Sequence, residues 1–207
     1  MIDTVVFDLG GVLIDWNPRH FFRPVFNDDE AMEHFLAHVC NQAWNEQQDA
    51  GRSWHEATAM LVSQFPEHQA MIEAYRTGWE KMLGGVFQDT IDILAELRAA
   101  GIRLYALTNW SHETFPIALE RYEFLQWFEG IVVSGEEHLI KPDARIFDVL
   151  LQRYAIDPDR ALYVDDSARN VDASRALGMR AWQFQGAGGF RDWLVAHGVL
   201  ARAGGVP

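Results

Sequence analysis

Thr4-Val5-Val6-Phe7-Asp8-Leu9-Gly10-Gly11-Val12-Leu13 joins a run of apolar, strand-favouring residues to an aspartate and two glycines. A short apolar run of this kind suits a central parallel strand buried on both faces, where neither face has to be polar. In an open α/β sheet the carboxyl ends of the strands form the ligand crevice. Asp8 then stands at that crevice, and Gly10 and Gly11 let the backbone turn closely around whatever Asp8 touches. Taken alone, the stretch equally describes a strand, a solvated aspartate and a glycine turn. The rest of the chain decides between the two.

Downstream of this strand the pattern becomes helical. From about Trp16 to Gly85 no strand pattern is visible. Asp28 or Asp29 caps a helix through Val39, with Met32, Phe35, Leu36 and Val39 on one face. Ser53 and Glu56 form a capping box for a helix to about Phe65. Pro66 opens a further helix to about Trp79, and Leu83-Gly84-Gly85-Val86 reads as the hinge back. The expected organisation is a helical cap over 16–85, inserted in a core made of 1–15 and 86–207. Trp16, Phe21, Phe22, Phe26, Trp44, Trp54 and Trp79 supply the cap with an aromatic interior.

The core resumes with a helix over 89–100, stopped by Gly101. Strands follow at 103–107, 130–134, 161–164 and 180–184, and helices through Pro116 and over 143–154, 168–177 and 190–197. The alternation predicts an α/β fold, a Rossmann-like, doubly wound, mainly parallel sheet. The tail Ala203–Pro207 reads as loose.

Composition narrows the partners. The 207 residues are 49% hydrophobic, enough for a substantial core. A net charge of -13 argues against nucleic acid and against anionic membranes. Cys40 is the only cysteine, so a reducing, cytoplasmic setting is expected. No secretion-like segment or membrane-spanning run is visible. A monomer or a homodimer is expected, acting on a small molecule.

Three strands end in polar residues on one edge: Asp8, Thr108-Asn109 and Asp165-Asp166. Lys141 arrives in the loop after the third strand of the core. It is one of two lysines, with Lys81, against fifteen arginines. Where arginine is the default, a lysine in such a loop suggests a compact point charge. Taken in order, Asp8-Leu9-Gly10-Gly11-Val12, Thr108, Lys141-Pro142-Asp143 and Asp165-Asp166-Ser167-Ala168-Arg169-Asn170 resemble the four signatures of the haloacid dehalogenase-like hydrolase superfamily. The resemblance spans essentially the whole chain and implies a Rossmann-like core with a mobile cap.

It also implies a chemistry. Asp8 would be a carboxylate nucleophile that forms an aspartyl-phosphate, later hydrolysed by water. A divalent cation would relieve repulsion between carboxylate and phosphate, and Mg2+ suits such oxygen-rich sites. The implied metal ligands are Asp8, the Gly10 carbonyl and Asp166, with Asp165 and Asn170 supporting them. Gly11, Thr108, Asn109 and Lys141 would contact the phosphorylated substrate, Lys141 neutralising developing charge.

Two rival activities share this frame. In a metal-independent 2-haloacid dehalogenase the same aspartate attacks a halogen-bearing carbon. Those relatives usually have an aromatic residue at the Gly10 position and lack the acidic pair, so Asp165-Asp166 favours phosphoryl transfer. A non-catalytic binding or regulatory protein is disfavoured by the full set of Asp8, Thr108, Lys141 and Asp166.

One familiar part is missing. Many phosphatases of the superfamily carry a second aspartate two residues after the nucleophile, which protonates the leaving oxygen; Gly10 stands there in this chain. The loop is similar in this respect to that of sugar-1-phosphate phosphatases. The expectation is a preference for easily departing groups, with Gly10→Asp flattening it. His20, His34, His38, His55 and His112 are the alternative proton donors, and Arg19 and Arg23 are candidate contacts for a substrate anion.

Overall fold

The computed structural model describes residues 1–26 and 28–201; the tail Ala203–Pro207 lies outside the described residues. β1 (Thr4–Phe7) is the middle strand of a five-stranded parallel sheet. Val5 and Phe7 point into one core cluster and Val6 into the other, and all three are fully buried. That two-sided burial is why the strand is apolar without alternation. Each such side chain contributes roughly 1.5–3 kcal/mol through lost water contact.

After β1 the chain forms β2 (Ile14–Trp16) and five helices: α1 (Pro18–Phe26), α2 (Asp29–His38), α3 (Gln42–Asp49), α4 (Trp54–Gln64) and α5 (Gln69–Thr77). β3 (Leu83–Val86) returns antiparallel to β2. The core continues with α6 (Gln88–Ala99), β4 (Arg103–Thr108), α7 (Phe115–Arg121), β5 (Gly130–Val133), α8 (Ser134–Glu137) and α9 (Ala144–Arg153). It ends with β6 (Ala161–Asp165), α10 (Ala168–Ala176), β7 (Arg180–Gln183) and α11 (Ala187–Ala196). The large sheet has the order β5-β4-β1-β6-β7. Helices cover both its faces, with Leu94, Leu97, Phe190 and Leu194 on one side and Ile146, Phe147 and Leu150 on the other. The fold class is therefore the α/β one that the alternation predicts.

The differences from the sequence reading are local and have causes. The Leu83–Val86 hinge is a strand paired with Ile14–Trp16, so the helical segment enters and leaves through a two-stranded ribbon. Two glycines in four residues hide it from any alternation rule. The expected helix from Pro66 to Trp79 is broken into a 3₁₀ turn at Pro66–His68, α5, and a second 3₁₀ turn at Trp79–Met82, with Gly78 closing α5. Ser134 starts α8 instead of ending β5. α3 was not visible in the pattern, because only Ala43 and Trp44 in it are apolar; Asn41 caps it by accepting from the Trp44 N–H. The Ser53 cap of α4 is present, its hydroxyl accepting from the Glu56 N–H at 3.2 Å.

The helical segment has an aromatic interior in which Trp54 stacks on Tyr75 and Trp44 meets Tyr75 edge-on. Its attachment to the sheet is specific. The Ser134 hydroxyl donates to the Asp49 carbonyl at 2.6 Å, and the Trp54 indole donates to Ser111 Oγ at 3.1 Å. The Trp54 backbone N–H donates to Glu113 at 2.8 Å. α3 is thus tied to the start of α8, and α4 to the loop that follows β4.

Candidate active site

Strand register brings the polar residues together. Phe7 pairs with Ala106 on one side and Val164 on the other, so the next residue, Asp8, comes level with Leu107 and Asp165. The Asp8 N–H donates to the Val164 carbonyl at 2.8 Å, extending the ladder to the edge. Thr108 ends β4 one step further along, fully buried.

Lys141 lies between the two acids. Its ammonium, 2% exposed as a residue, sits 2.9 Å from Asp8 Oδ1 and 2.8 Å from Asp165 Oδ2, and donates to the Leu107 carbonyl at 2.9 Å. Three donors meet three acceptors, so a buried charge that would otherwise be costly is fully satisfied. Burial opposes the charged lysine, but the two carboxylates outweigh it and its pKa is raised. Asn109 holds the lysine loop: its amide accepts from the Lys141 N–H at 2.8 Å and donates to the Lys141 carbonyl at 3.1 Å. The side chain read from the sequence as a substrate contact is engaged as a brace.

Asp165 is the hub of the network. Besides Lys141 it accepts from the Tyr163 hydroxyl at 2.5 Å, the Ser167 N–H at 2.8 Å and the Asn170 amide at 3.0 and 3.1 Å. Burial raises its pKa, but Lys141 and these donors overcome that and hold the carboxyl below its usual range. Asn170 is therefore a hydrogen-bond partner of Asp165.

Asp8 and Asp166 behave differently. Burial pushes Asp8 up to about 8, with Lys141 pulling it back and the Asp165 and Asp166 charges adding to the rise. Asp166 is exposed, yet partial desolvation and the Asp165 charge raise it too. Carboxylate oxygens of Asp8, Asp165 and Asp166 lie within 4.8 Å of one another. Clustered acids with one lysine between them form an oxygen-rich, electron-rich donor set that fits a hard divalent cation. Gly11 helps to shape it: with φ +74° it occupies the left-handed region, and a Cβ there would stand 2.7 Å from Asp166 Oδ2. Gly10 is different, because a Cβ there would meet nothing within 4 Å.

Beside Gly10 a cavity opens between the helical segment and the sheet. Trp16, Trp79 and Trp110 wall it, with Asn45, Asp49 and Asn109 as polar groups. A larger depression shares Trp16, Asn45, Asp49 and Asn109 with it. None of His20, His34, His38, His55 and His112 lines either space. His20 pairs with Asp15 at 2.9 Å, and His34 and His38 are exposed and face one another. Arg19 borders the outer depression but is bound to Glu33, and Arg23 is bound to Asp29. Asp49, Asn45 and Tyr163 escaped sequence reasoning. Only the short polar run Asn41–Asp49, with its cap residue, could have signalled the first two.

The comparisons with known proteins bear on this geometry. The model of the haloacid dehalogenase-like hydrolases matches residues 2–178. A sesquiterpene phosphatase of Aspergillus oryzae is 25% identical over 178 residues, covering 85% of this chain and 86% of that one. The pyrophosphatase PpaX of Bacillus velezensis is 24% identical over 194 residues, covering 90% and 86%. A HAD family enzyme of Bacteroides thetaiotaomicron, solved with magnesium and inorganic phosphate, superposes with a TM-score of 0.65 at 20% identity, covering 88% of this chain and 93% of that one. At that identity the likeness speaks for the fold. With the family model matched over most of the sequence, the chain belongs to the haloacid dehalogenase-like hydrolases.

Proposed function

We propose that this hydrolase is a magnesium-dependent phosphatase of a small phosphorylated metabolite, acting through an aspartyl-phosphate on Asp8. The observation that carries the reading is the cluster of Asp8, Asp165 and Asp166 carboxylates within 4.8 Å, with Lys141 between the first two. A haloacid carbon needs a single bare carboxylate; a phosphate dianion needs its charge, and that of the attacking carboxylate, offset. The phosphatase names of two relatives and the magnesium and phosphate of a structural neighbour support the same choice.

Asp8, the Gly10 carbonyl and Asp166 would hold the cation. When bound it would offset the carboxylate and phosphate charges and polarise the phosphoryl group. Asp8 is buried and fixed, its Oδ1 accepting from the Leu9 N–H at 2.7 Å and from Lys141, so the other oxygen is the one left to attack phosphorus. The P–O bond to the leaving group breaks as the Asp8–P bond forms, and water then cleaves the acyl-phosphate. Thr108 and backbone N–H groups around Gly11 and Asn109 hold the phosphate oxygens, while Lys141, braced by Asn109, offsets the charge that develops. Asp165, Tyr163 and Asn170 keep Lys141 in place. The test is turnover of an aryl phosphate with magnesium and with chelator, beside chloride release from a short haloacid. Magnesium-dependent phosphate release is expected; metal-independent chloride release without phosphate release overturns the reading.

A further inference from the structure

Protonation of the leaving oxygen has no obvious donor at Gly10, and the structure offers one from the opposite wall. We infer that Asp49, the last residue of α3, is the general acid of this hydrolase, taking from the helical segment the part usually played by an aspartate two residues after the nucleophile. The inference rests on the phosphatase reading.

Four observations carry it. First, Asp49 and Gly10 line the same cavity, so the acid faces the loop that carries the nucleophile. Second, the space at Gly10 is open, since a Cβ there would meet nothing within 4 Å. A leaving group can therefore lie between Gly10 and Asp49. Third, Asp49 is held. Its carbonyl accepts from the Ser134 hydroxyl at 2.6 Å, and its Oδ2 accepts from the Asn45 amide at 3.1 Å. Ser134 in turn accepts from the Trp110 N–H at 2.9 Å, so the acid is fixed to the same strand ends that carry Thr108 and Lys141. Fourth, the indole N–H groups of Trp16 and Trp110, two walls of the cavity, are buried without partners among the described residues. Unpaired buried donors are rare, and these two belong to residues of the cavity wall.

The acid's surroundings suit the task. Burial, with Glu46 alongside on α3, pushes its carboxyl up to about 7, while the Ser111 N–H, Asn45 and the Lys141 ammonium pull it back. Tyr75 of α5 is the other titratable group that senses it, and its own pKa is raised well above the ordinary value by burial. A carboxyl balanced near neutrality can both give and take a proton. As Asp8 attacks phosphorus, the Asp49 proton goes to the ester oxygen and the alcohol leaves. In the second step water attacks phosphorus, its proton goes to the Asp49 carboxylate, and the bond from phosphorus to Asp8 breaks. The acid is thereby regenerated.

The experiment compares kcat/KM of the native enzyme, Asp49→Asn, and Asp49→Asn with Gly10→Asp, on aryl phosphates of low leaving-group pKa and on alkyl phosphates. Asp49→Asn should lose about 10²–10⁴-fold on alkyl phosphates and much less on the aryl esters. With the aryl ester it should release a burst of phenolate and then stall, because water lacks its base. Gly10→Asp should restore alkyl turnover in the Asp49→Asn background. For the native enzyme kcat/KM on alkyl phosphates should fall above about pH 7, with no such limb on the aryl esters; this readout holds even where Asp49→Asn fails to fold. Equal losses on both ester classes, or a native dependence on leaving group as steep as the variant's, overturn Asp49 while leaving the phosphatase standing. A native enzyme that turns over no phosphate ester overturns both.

Discussion

Lys141→Met removes the only buried cation among the described residues and keeps an unbranched stem of similar bulk. The ammonium meets Asp8 and Asp165 at 2.9 and 2.8 Å, so its loss leaves two acids without their counter-charge. Asp165 retains Tyr163, Ser167 and Asn170, whereas Asp8 retains only the Leu9 N–H among its side-chain donors. Breaking a buried pair by removing one partner costs about 3–5 kcal/mol. For a chain of this size each kcal/mol lowers Tm by about 2–4 °C, which gives a drop of about 6–20 °C. The assay is a thermal melt at pH 9, above the value of about 8 to which burial raises Asp8, and in chelator, so that neither metal nor turnover enters. Adding Asp8→Asn to Lys141→Met should restore a large part of the loss by removing one orphaned charge. A drop under about 2 °C, or no recovery in the double variant, would refute the reasoning that the lysine is what makes the acidic cluster tolerable.

Asp8→Asn alone should abolish turnover and yet raise the metal-free Tm. The folded protein lifts the Asp8 carboxyl to about 8, so its ionised form opposes folding; the gain is absent below about pH 4, where the carboxyl is protonated folded or unfolded, and is full above pH 8. A melt series across pH checks the direction. Tyr163→Phe, which removes the 2.5 Å hydrogen bond to Asp165, should cost about 1.5–3 kcal/mol in urea unfolding. Gly11→Ala sets a Cβ against Asp166 in the left-handed backbone region; it should cost about 1–3 kcal/mol and raise the magnesium needed for half-maximal rate, both read from one preparation.

The large sheet was legible because burial on both faces writes itself as apolar runs, and because the strand ends Asp8, Thr108 and Asp165 share one edge whatever lies between them. Lys141 was legible by its rarity. The hub role of Asp165 was not, since it depends on Tyr163 reaching past its neighbour on β6 and on Asn170 one helical turn away. Asn109 was legible as a site residue but not as a brace, because its amide partners sit 32 positions downstream. Asp49 was hidden for a different reason. α3 has almost no apolar face, and what makes its last residue interesting is its tertiary contact with Ser134 and its place in the cavity beside Gly10. The histidines drew attention by type, and the fold leaves them outside the cavity.

The most direct test is to mix the enzyme with magnesium and an aryl phosphate, quench with acid within the first turnover, and map the peptides by mass. A phosphoryl group on the peptide containing Asp8, removed by hydroxylamine and absent in Asp8→Asn, is the predicted result. Phosphate release with Asp8 unmodified at every quench time, together with turnover by Asp8→Asn, would contradict it.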